Sequence, residues 1–99
     1  MRRLFSRFFR SRVPAEILQV RVYTREHCGC CHKALDLLQE RQARFGLSIE
    51  TIDIESDPAL EAEHGLSVPV VELGGKVRFR GVVNPTLLDR LLKAEIRGR

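Results

Sequence analysis

Residues 20–31 read Val20-Arg21-Val22-Tyr23-Thr24-Arg25-Glu26-His27-Cys28-Gly29-Cys30-Cys31, and the rest of the chain is organised around them. Apolar and polar residues alternate up to Tyr23, which predicts a strand, and a helical pattern begins after the cysteines. Cys28 is therefore expected at a helix N-terminus, where unpaired backbone N–H groups and the helix dipole favour an anion. Because the thiolate is the nucleophile in disulfide exchange, this position predicts a reactive thiol. A buried, inert thiol is the alternative. Cys31, about one turn later, can close back on Cys28.

The composition is that of one soluble domain. The chain has 99 residues, enough for a single core, and no apolar run approaches the roughly 20 residues of a transmembrane helix. Its formal net charge of +4 comes from the first twelve residues, which hold five arginines and no acidic residue. Without them, 17 basic groups fall to 12 against 13 acidic ones, a net of −1. The charge therefore does not predict binding to nucleic acid.

Residues 1–13 form a basic N-terminal tail that differs from the domain expected over residues 14–99. Four apolar side chains in it would share one face of a helix: Leu4, Phe5, Phe8 and Phe9. Three interpretations stay open, namely a disordered tail, weak peripheral contact of residues 1–12 with an anionic membrane surface, and organelle targeting.

Beyond Pro14 the pattern predicts the order strand, helix, strand, helix, strand, strand, helix. Strands are expected over residues 17–23, 48–54, 68–73 and 76–80, and helices over residues 31–45, 57–64 and 85–96. Gly46 is expected to end the first helix, and Gly74-Gly75 to form a two-residue hairpin loop. One face of the last helix is expected to be buried, through Leu87, Leu88, Leu91, Leu92 and Ile96. The fold class is therefore α/β, a four-stranded mixed sheet with helices on both faces, and Cys28 lies at the carboxyl end of a strand.

Over residues 17–97 the chain resembles the glutaredoxin and thioredoxin superfamily. The resemblance is carried by four features: the approach Tyr23-Thr24-Arg25-Glu26-His27-Cys28, the motif Cys28-Gly29-Cys30-Cys31, the pair Val68-Pro69, and Gly81 before the last helix. The stretch Gly81-Val82-Val83-Asn84 lacks the Gly-Gly, one residue, acidic residue pattern of glutathione-dependent glutaredoxins. The resemblance is therefore to a divergent glutaredoxin-like protein with a thioredoxin-like fold.

The resemblance implies a role for each matching residue. Cys28 would be the nucleophile and Cys31 the resolving thiol. Pro69 would follow a cis peptide bond and place the Val68 backbone beside Cys28, where the main chain of a substrate can bind. Arg25 stands where glutaredoxins have a lysine that contacts the glutathione carboxylate.

We therefore expect a thiol-disulfide oxidoreductase that reduces or exchanges disulfides, with a part in electron transport and cell redox homeostasis. Its partners would be a disulfide-containing protein or a glutathione mixed disulfide, together with a reductant that the sequence does not name. No cofactor is expected, although glutathione could be a co-substrate, and the protein would be a monomer. All three cysteines fall within four positions, which is compatible with a reducing cytoplasm rather than a disulfide-stapled secreted domain.

Three neighbours of the Cys-x-x-Cys pair are candidate modulators. His27 and His32 could stabilise a thiolate or shuttle protons, or they are plain surface residues. Cys30 is expected to be partly exposed, as a chance substitution, a regulatory thiol, an intermolecular disulfide partner or a metal ligand. His64 is most simply a favourable residue at a helix C-terminus.

Two other functions use the same residues. Cys28, Cys30 and Cys31 could carry copper, zinc or an iron–sulfur cluster, with further ligands from a second molecule or glutathione. Cys28-Gly29-Cys30-Cys31-His32 also satisfies the Cys-x-x-Cys-His signature of c-type haem attachment, with His27 or His64 as a second axial ligand.

Overall fold

The computed structural model describes residues 17–97. In chain order the elements are β1 (Leu18–Thr24), α1 (Gly29–Phe45), β2 (Leu47–Asp53), a 3₁₀ turn (Ile54–Ser56), α2 (Pro58–His64), β3 (Val70–Leu73), β4 (Lys76–Arg80) and α3 (Pro85–Arg97). The sheet has four strands in the order β2-β1-β3-β4. β1 pairs with β2 in parallel and with β3 antiparallel, and β3 pairs antiparallel with β4. The predicted mixed sheet, its element order and the thioredoxin-like fold class are confirmed.

Several predicted boundaries were wrong by one or two residues. α1 begins at Gly29 rather than Cys31 because Cys28 supplies the N-cap. β1 and β2 are each displaced by one residue, and Ile54 belongs to the 3₁₀ turn, which the sequence pattern did not predict. β3 begins at Val70 because Pro69 has no N–H to donate to the ladder.

Alternation along β1 divides the core between the two faces of the sheet. Leu18, Val20 and Val22 belong to the larger cluster, which α1 and α3 cover with Ala34, Leu38, Leu88 and Leu92. Tyr23 points to the opposite face and pairs with Ile52 of β2 and Val70 of β3. These three residues pack with Ile54, Leu60 and Val68 in a second cluster beside α2. Helices therefore cover both faces of the sheet, as predicted.

The glycines that end α1 and turn the hairpin act as the sequence predicted, and two side chains cap the other helices. Gly46 has φ 69° and ends α1, and its N–H donates to Gln42 O at 2.9 Å. Gly74 and Gly75 have φ values of 58° and 86°, as a tight hairpin turn with two left-handed residues requires. Asp57 accepts a hydrogen bond from Ala59 N at 2.9 Å, and Asn84 accepts one from Leu87 N at 2.9 Å. These side chains cap α2 and α3.

The buried face of α3 is narrower than predicted. Leu88 and Leu92 are fully buried, whereas Leu87 is 41% exposed, so the prediction for Leu87 was wrong. Leu87 is adjacent to Leu88 and lies about 100° around the helix from it, which turns it toward the rim of the interface. The predictions made for residues 1–13 lie outside the described residues. No helix within residues 17–97 is long and apolar enough to cross a membrane.

Candidate redox site

Cys28 lies between the end of β1 and the first turn of α1. It has extended backbone angles, φ −109° and ψ 106°, and its sulfur accepts a hydrogen bond from the backbone N–H of Cys31 at 3.2 Å. The thiol therefore occupies the N-cap position, where side chains satisfy the first unpaired N–H groups of a helix. This is the environment that stabilises a thiolate, and the sequence predicted it.

The sulfur atoms of Cys28 and Cys31 lie near disulfide-bonding distance, with Cα atoms 5.2 Å apart. Cys31 is 2% exposed, whereas Cys28 is only partly buried. Cys30 carries a free thiol and is exposed, as predicted. The three thiols thus differ in access to solvent. Of the pair, Cys28 is the residue that a molecule from solvent can reach, and Cys31 lies beneath it.

The Val68–Pro69 peptide bond is cis, as the resemblance implied. Pro69 is buried, Val68 is partly buried, and the N–H of Gly81 donates to Pro69 O at 2.8 Å. This hydrogen bond joins Pro69, just before β3, to Gly81, the residue after β4. Gly81 adopts φ 93°, a left-handed conformation that favours glycine. The predicted role of Val68 and Pro69 in binding a substrate main chain stays a prediction.

Arg25, in the loop before Cys28, is engaged within the protein. Its Nη2 group donates to Glu61 Oε1 of α2 and, at 2.8 Å, to the carbonyl oxygen of Gly65. Its Nη1 group lies 3.6 Å from Glu55 Oε2. The hydrogen bond to Glu61 raises the pKa of Arg25, with further Coulombic contributions from nearby carboxylates. Arg25 is therefore neither a freely solvated loop residue nor an unoccupied anion receptor.

The two histidines beside the motif lie at the surface. His27 adopts φ 61°, its side chain is 90% exposed, and Nε2 lies 3.8 Å from Glu26 Oε1. His32 is exposed on α1, and its backbone N–H donates to Cys28 O at 3.2 Å. Within residues 17–97, the Cys28 sulfur accepts its hydrogen bond from the backbone N–H of Cys31 and not from the imidazole of either histidine. Their role as modulators stays a prediction.

His64 is more deeply placed than its position near a helix end suggested. It is the last residue of α2 and is 4% exposed, with its ring 4.4 Å from that of Tyr23. The hydroxyl of Tyr23 donates to Glu72 Oε2 at 3.1 Å. Tyr23 packs on the face of the sheet that α2 covers. An aromatic residue at this strand position was therefore the feature of the sequence that could have indicated a buried ring on α2.

The metal-carrier alternative needs ligands that the described residues do not bring together. Within residues 17–97, no three His, Cys, Asp or Glu side chains form a group that could hold a metal ion. Carriage of a metal or a cluster would therefore need ligands from elsewhere, as the sequence already indicated. The four-stranded sheet also differs from the mostly helical fold expected of a cytochrome of this size.

Comparison with known proteins agrees with this geometry. Residues 19–97 match the family model described as glutaredoxin-like domain (DUF836). The chain belongs to this glutaredoxin-like family. The match spans β1 to α3 and leaves out the basic tail, so the family assignment rests on the same residues as the fold.

Relatives and solved structures are consistent with the glutaredoxin-like assignment. The chain is 30% identical over 83 residues to a "Probable Thioredoxin" of Methanothermobacter marburgensis, covering 81% of this chain and 98% of that protein. A protein of the same name from Methanothermobacter thermautotrophicus is 34% identical over 68 residues, 66% of this chain and 80% of that protein. An X-ray structure of a structural-genomics target from X. campestris is 31% identical, with a TM-score of 0.64, covering 76% of this chain and 96% of that one.

Proposed function

We propose that the protein is a thiol-disulfide oxidoreductase in which Cys28 is the nucleophile and Cys31 the resolving thiol. The observation that carries the proposal is the pair itself. One cysteine caps a helix and is only partly buried, its partner is 2% exposed, and their sulfur atoms are close enough to form a disulfide. Membership of the glutaredoxin-like family supports the same chemistry.

In the first step, the Cys28 thiolate attacks one sulfur of a substrate disulfide. A bond forms between Cys28 Sγ and that sulfur, and the other substrate sulfur leaves as a thiolate. The Cys31 N–H, 3.2 Å from Cys28 Sγ, and the N-terminal end of α1 stabilise the negative charge on Cys28 before attack.

In the second step, Cys31 loses its proton and attacks Cys28 Sγ. The Cys28–Cys31 disulfide forms, and the second substrate sulfur leaves as a thiolate. The net change oxidises the protein dithiol and reduces one substrate disulfide to two thiols. Run in reverse, the same steps oxidise a substrate. The reduction potential of the pair relative to its partner decides the direction.

Cysteine variants test the proposal. We expect Cys28→Ser to abolish reduction of a model protein disulfide such as that of insulin. Cys31→Ser should accumulate a mixed disulfide on Cys28, detected by mass spectrometry. Cys30→Ser is the matched control, because it removes a neighbouring thiol and leaves the disulfide pair intact. Unchanged turnover in the Cys28→Ser protein would contradict the assignment.

A redox titration gives a second, independent measurement. The Cys30→Ser protein is equilibrated in glutathione buffers, and its free thiols are alkylated and counted by mass spectrometry. We expect the pair to titrate between about −270 and −120 mV, the span from thioredoxin to strong oxidants. Thiols that stay unpaired across the whole series would contradict a working dithiol couple.

A further inference from the structure

The guanidinium of Arg25 is held by two acidic side chains, Glu55 and Glu61. We propose that these two carboxylates set the substrate class of the adjacent dithiol. The site would favour disulfides in neutral or cationic surroundings, such as uncharged or basic polypeptide segments, over the anionic disulfide of glutathione. The inference rests on the proposed oxidoreductase function and departs from the role that the resemblance implied for Arg25.

Both hydrogens on Nη2 of Arg25 are already used in hydrogen bonds within the protein. A guanidinium Nη atom carries two hydrogens, and Nη2 donates to both Glu61 Oε1 and the carbonyl oxygen of Gly65. Nη1 faces Glu55 Oε2 at 3.6 Å, and the side chain is 31% exposed. To present a forked pair of N–H groups to a substrate carboxylate, Arg25 would have to give up internal partners.

The lack of a side chain at Gly65 makes room for the Arg25–Glu61 ion pair. A Cβ added at residue 65 would lie 2.6 Å from Glu61 Oε1 and 3.4 Å from Arg25 Nη2. The absence of a side chain at this position therefore leaves room for the Arg25–Glu61 pair. The hydrogen bond from Arg25 Nη2 to the carbonyl oxygen of Gly65 also holds the guanidinium in place. The pair is thus part of the packing between the loop and the end of α2.

The charge balance around Arg25 is negative. One guanidinium faces the carboxylates of Glu55 and Glu61, and Asp53 adds a further Coulombic interaction. The loop backbone is tied to the same group, because Glu26 N donates to Glu55 Oε1 at 3.2 Å. Arg25 therefore does not give this edge of the site a net positive charge.

This negative group is close enough to Cys28 to influence its reactions. Glu55 Oε1 accepts from the N–H of Glu26 at 3.2 Å, and Glu26 is two positions before Cys28, so this carboxylate lies within about 12 Å of the Cys28 Cα. That distance is comparable with the Debye length of about 8–10 Å at ordinary ionic strength. Oxidised glutathione has more carboxylates than ammonium groups, so its approach is opposed, whereas a cationic disulfide is attracted.

The test uses three small disulfides that differ in charge: oxidised glutathione, neutral bis(2-hydroxyethyl) disulfide and cationic cystamine. Each oxidises the reduced dithiol, forming the Cys28–Cys31 disulfide and releasing two small thiols. Second-order rates are measured by acid quench, alkylation and mass spectrometry, for the wild type and for Glu55→Gln/Glu61→Gln. For each disulfide, the rate of the variant is divided by that of the wild type. This ratio cancels the intrinsic reactivity of the disulfide, and it also cancels any effect of the tail, which is the same in both proteins.

At low salt, the double variant should react about three- to tenfold faster with oxidised glutathione and slower with cystamine by a similar factor, with the neutral disulfide changed less than about twofold. Both ratios should approach one in 1 M salt. The single variants should each give part of the shift and keep the measurement available if the double variant fails to fold.

Glu95→Gln is the matched control. Glu95 also pairs with an arginine, since its Oε2 accepts from Arg78 Nη2 at 3.0 Å. It lies by Gly74, whose N–H donates to Gln19 O near the start of β1, at the opposite end of that strand from Cys28. Removing this carboxylate should leave all three ratios near one. An equal shift in the control would overturn the inference.

Failure of the inference differs from failure of the proposed function. If the wild type forms the Cys28–Cys31 disulfide with all three reagents, and the double variant changes their rates equally or not at all, the substrate class is wrong and the oxidoreductase stands. If none of the three reagents forms that disulfide in the wild type, the proposed function itself is overturned.

Discussion

The backbone N–H of Cys31 donates a hydrogen bond to the sulfur of Cys28 at 3.2 Å. The residue proposed to resolve the mixed disulfide thus also stabilises the proposed nucleophile, through its main chain rather than its thiol. This follows from helix geometry, since an N-cap side chain accepts from the N–H two or three residues later. The same spacing that lets the two sulfurs bond makes Cys31 the donor.

We expect this arrangement to set the order of alkylation in the reduced protein. Cys28 should react first with iodoacetamide at pH 7, because the helix N-terminus favours its thiolate and the residue is only partly buried. Cys31, at 2% exposure, should react at least about tenfold more slowly. Timed quenching and peptide mass spectrometry measure both rates in one sample. Equal rates would contradict the assigned roles, whatever the rate of exposed Cys30.

The sequence predicted the fold where the deciding interactions are local. Gly46, Gly74 and Gly75 adopt the left-handed conformations expected of a helix end and a hairpin, and Asp57 caps α2. Each of these features depends on residues within a few positions along the chain. The alternation of apolar and polar residues likewise predicted that β1 is a strand.

The parts that could not be predicted depend on residues distant in sequence. Arg25 binds Glu61, 36 positions away, and a loop arginine carries no sign of which carboxylate will reach it. The burial of His64 follows from the packing of its ring against Tyr23 on the α2 face of the sheet. Periodicity placed Leu87 and Leu88 on the same face, but the packing of α3 buries only Leu88 of the two.

The contact around Gly65 gives a stability prediction. Gly65→Ala should lower the free energy of unfolding by about 1–3 kcal/mol, because the added Cβ would lie 2.5 Å from Glu61 O and must displace the end of α2. Urea denaturation followed by circular dichroism measures the change.

Gly29→Ala is the control for this substitution. A Cβ at Gly29 meets nothing within 4 Å, and the residue is the first of α1. Alanine there should be neutral or stabilising by up to about 1 kcal/mol. A Gly65→Ala protein as stable as Gly29→Ala would show that residue 65 tolerates a side chain.

The two adjacent leucines of α3 should differ in their contribution to stability. Leu88 is 0% exposed within the larger core cluster, so Leu88→Ala should cost about 2–5 kcal/mol through lost burial and the cavity left behind. Leu87 is 41% exposed, and Leu87→Ala should cost less than about 1 kcal/mol. Equal losses in urea denaturation would mean that the helix face was assigned wrongly.

The ion pair between α1 and α3 should make stability depend on pH in the acid range. Arg41 Nε donates to Asp89 Oδ1, and this hydrogen bond is the main cause that lowers the pKa of Asp89 below its usual 3.8. A group whose pKa is lowered by folding adds stability above its unfolded pKa and loses it as the pH falls through its folded pKa. Asp89→Asn should therefore cost about 1 kcal/mol at neutral pH.

The difference between the wild type and Asp89→Asn should stay constant from pH 7 to about 5, then shrink below the usual carboxyl pKa of about 4. Thermal unfolding followed across this range measures it. Glu40→Gln is the control, because Glu40 Oε1 contacts the same arginine at 3.4 Å but its side chain is 70% exposed. Solvent screening should keep its effect below about 0.5 kcal/mol at every pH. A difference for Asp89→Asn that persists undiminished to pH 2 would show that the carboxylate charge is not what stabilises the α1–α3 contact.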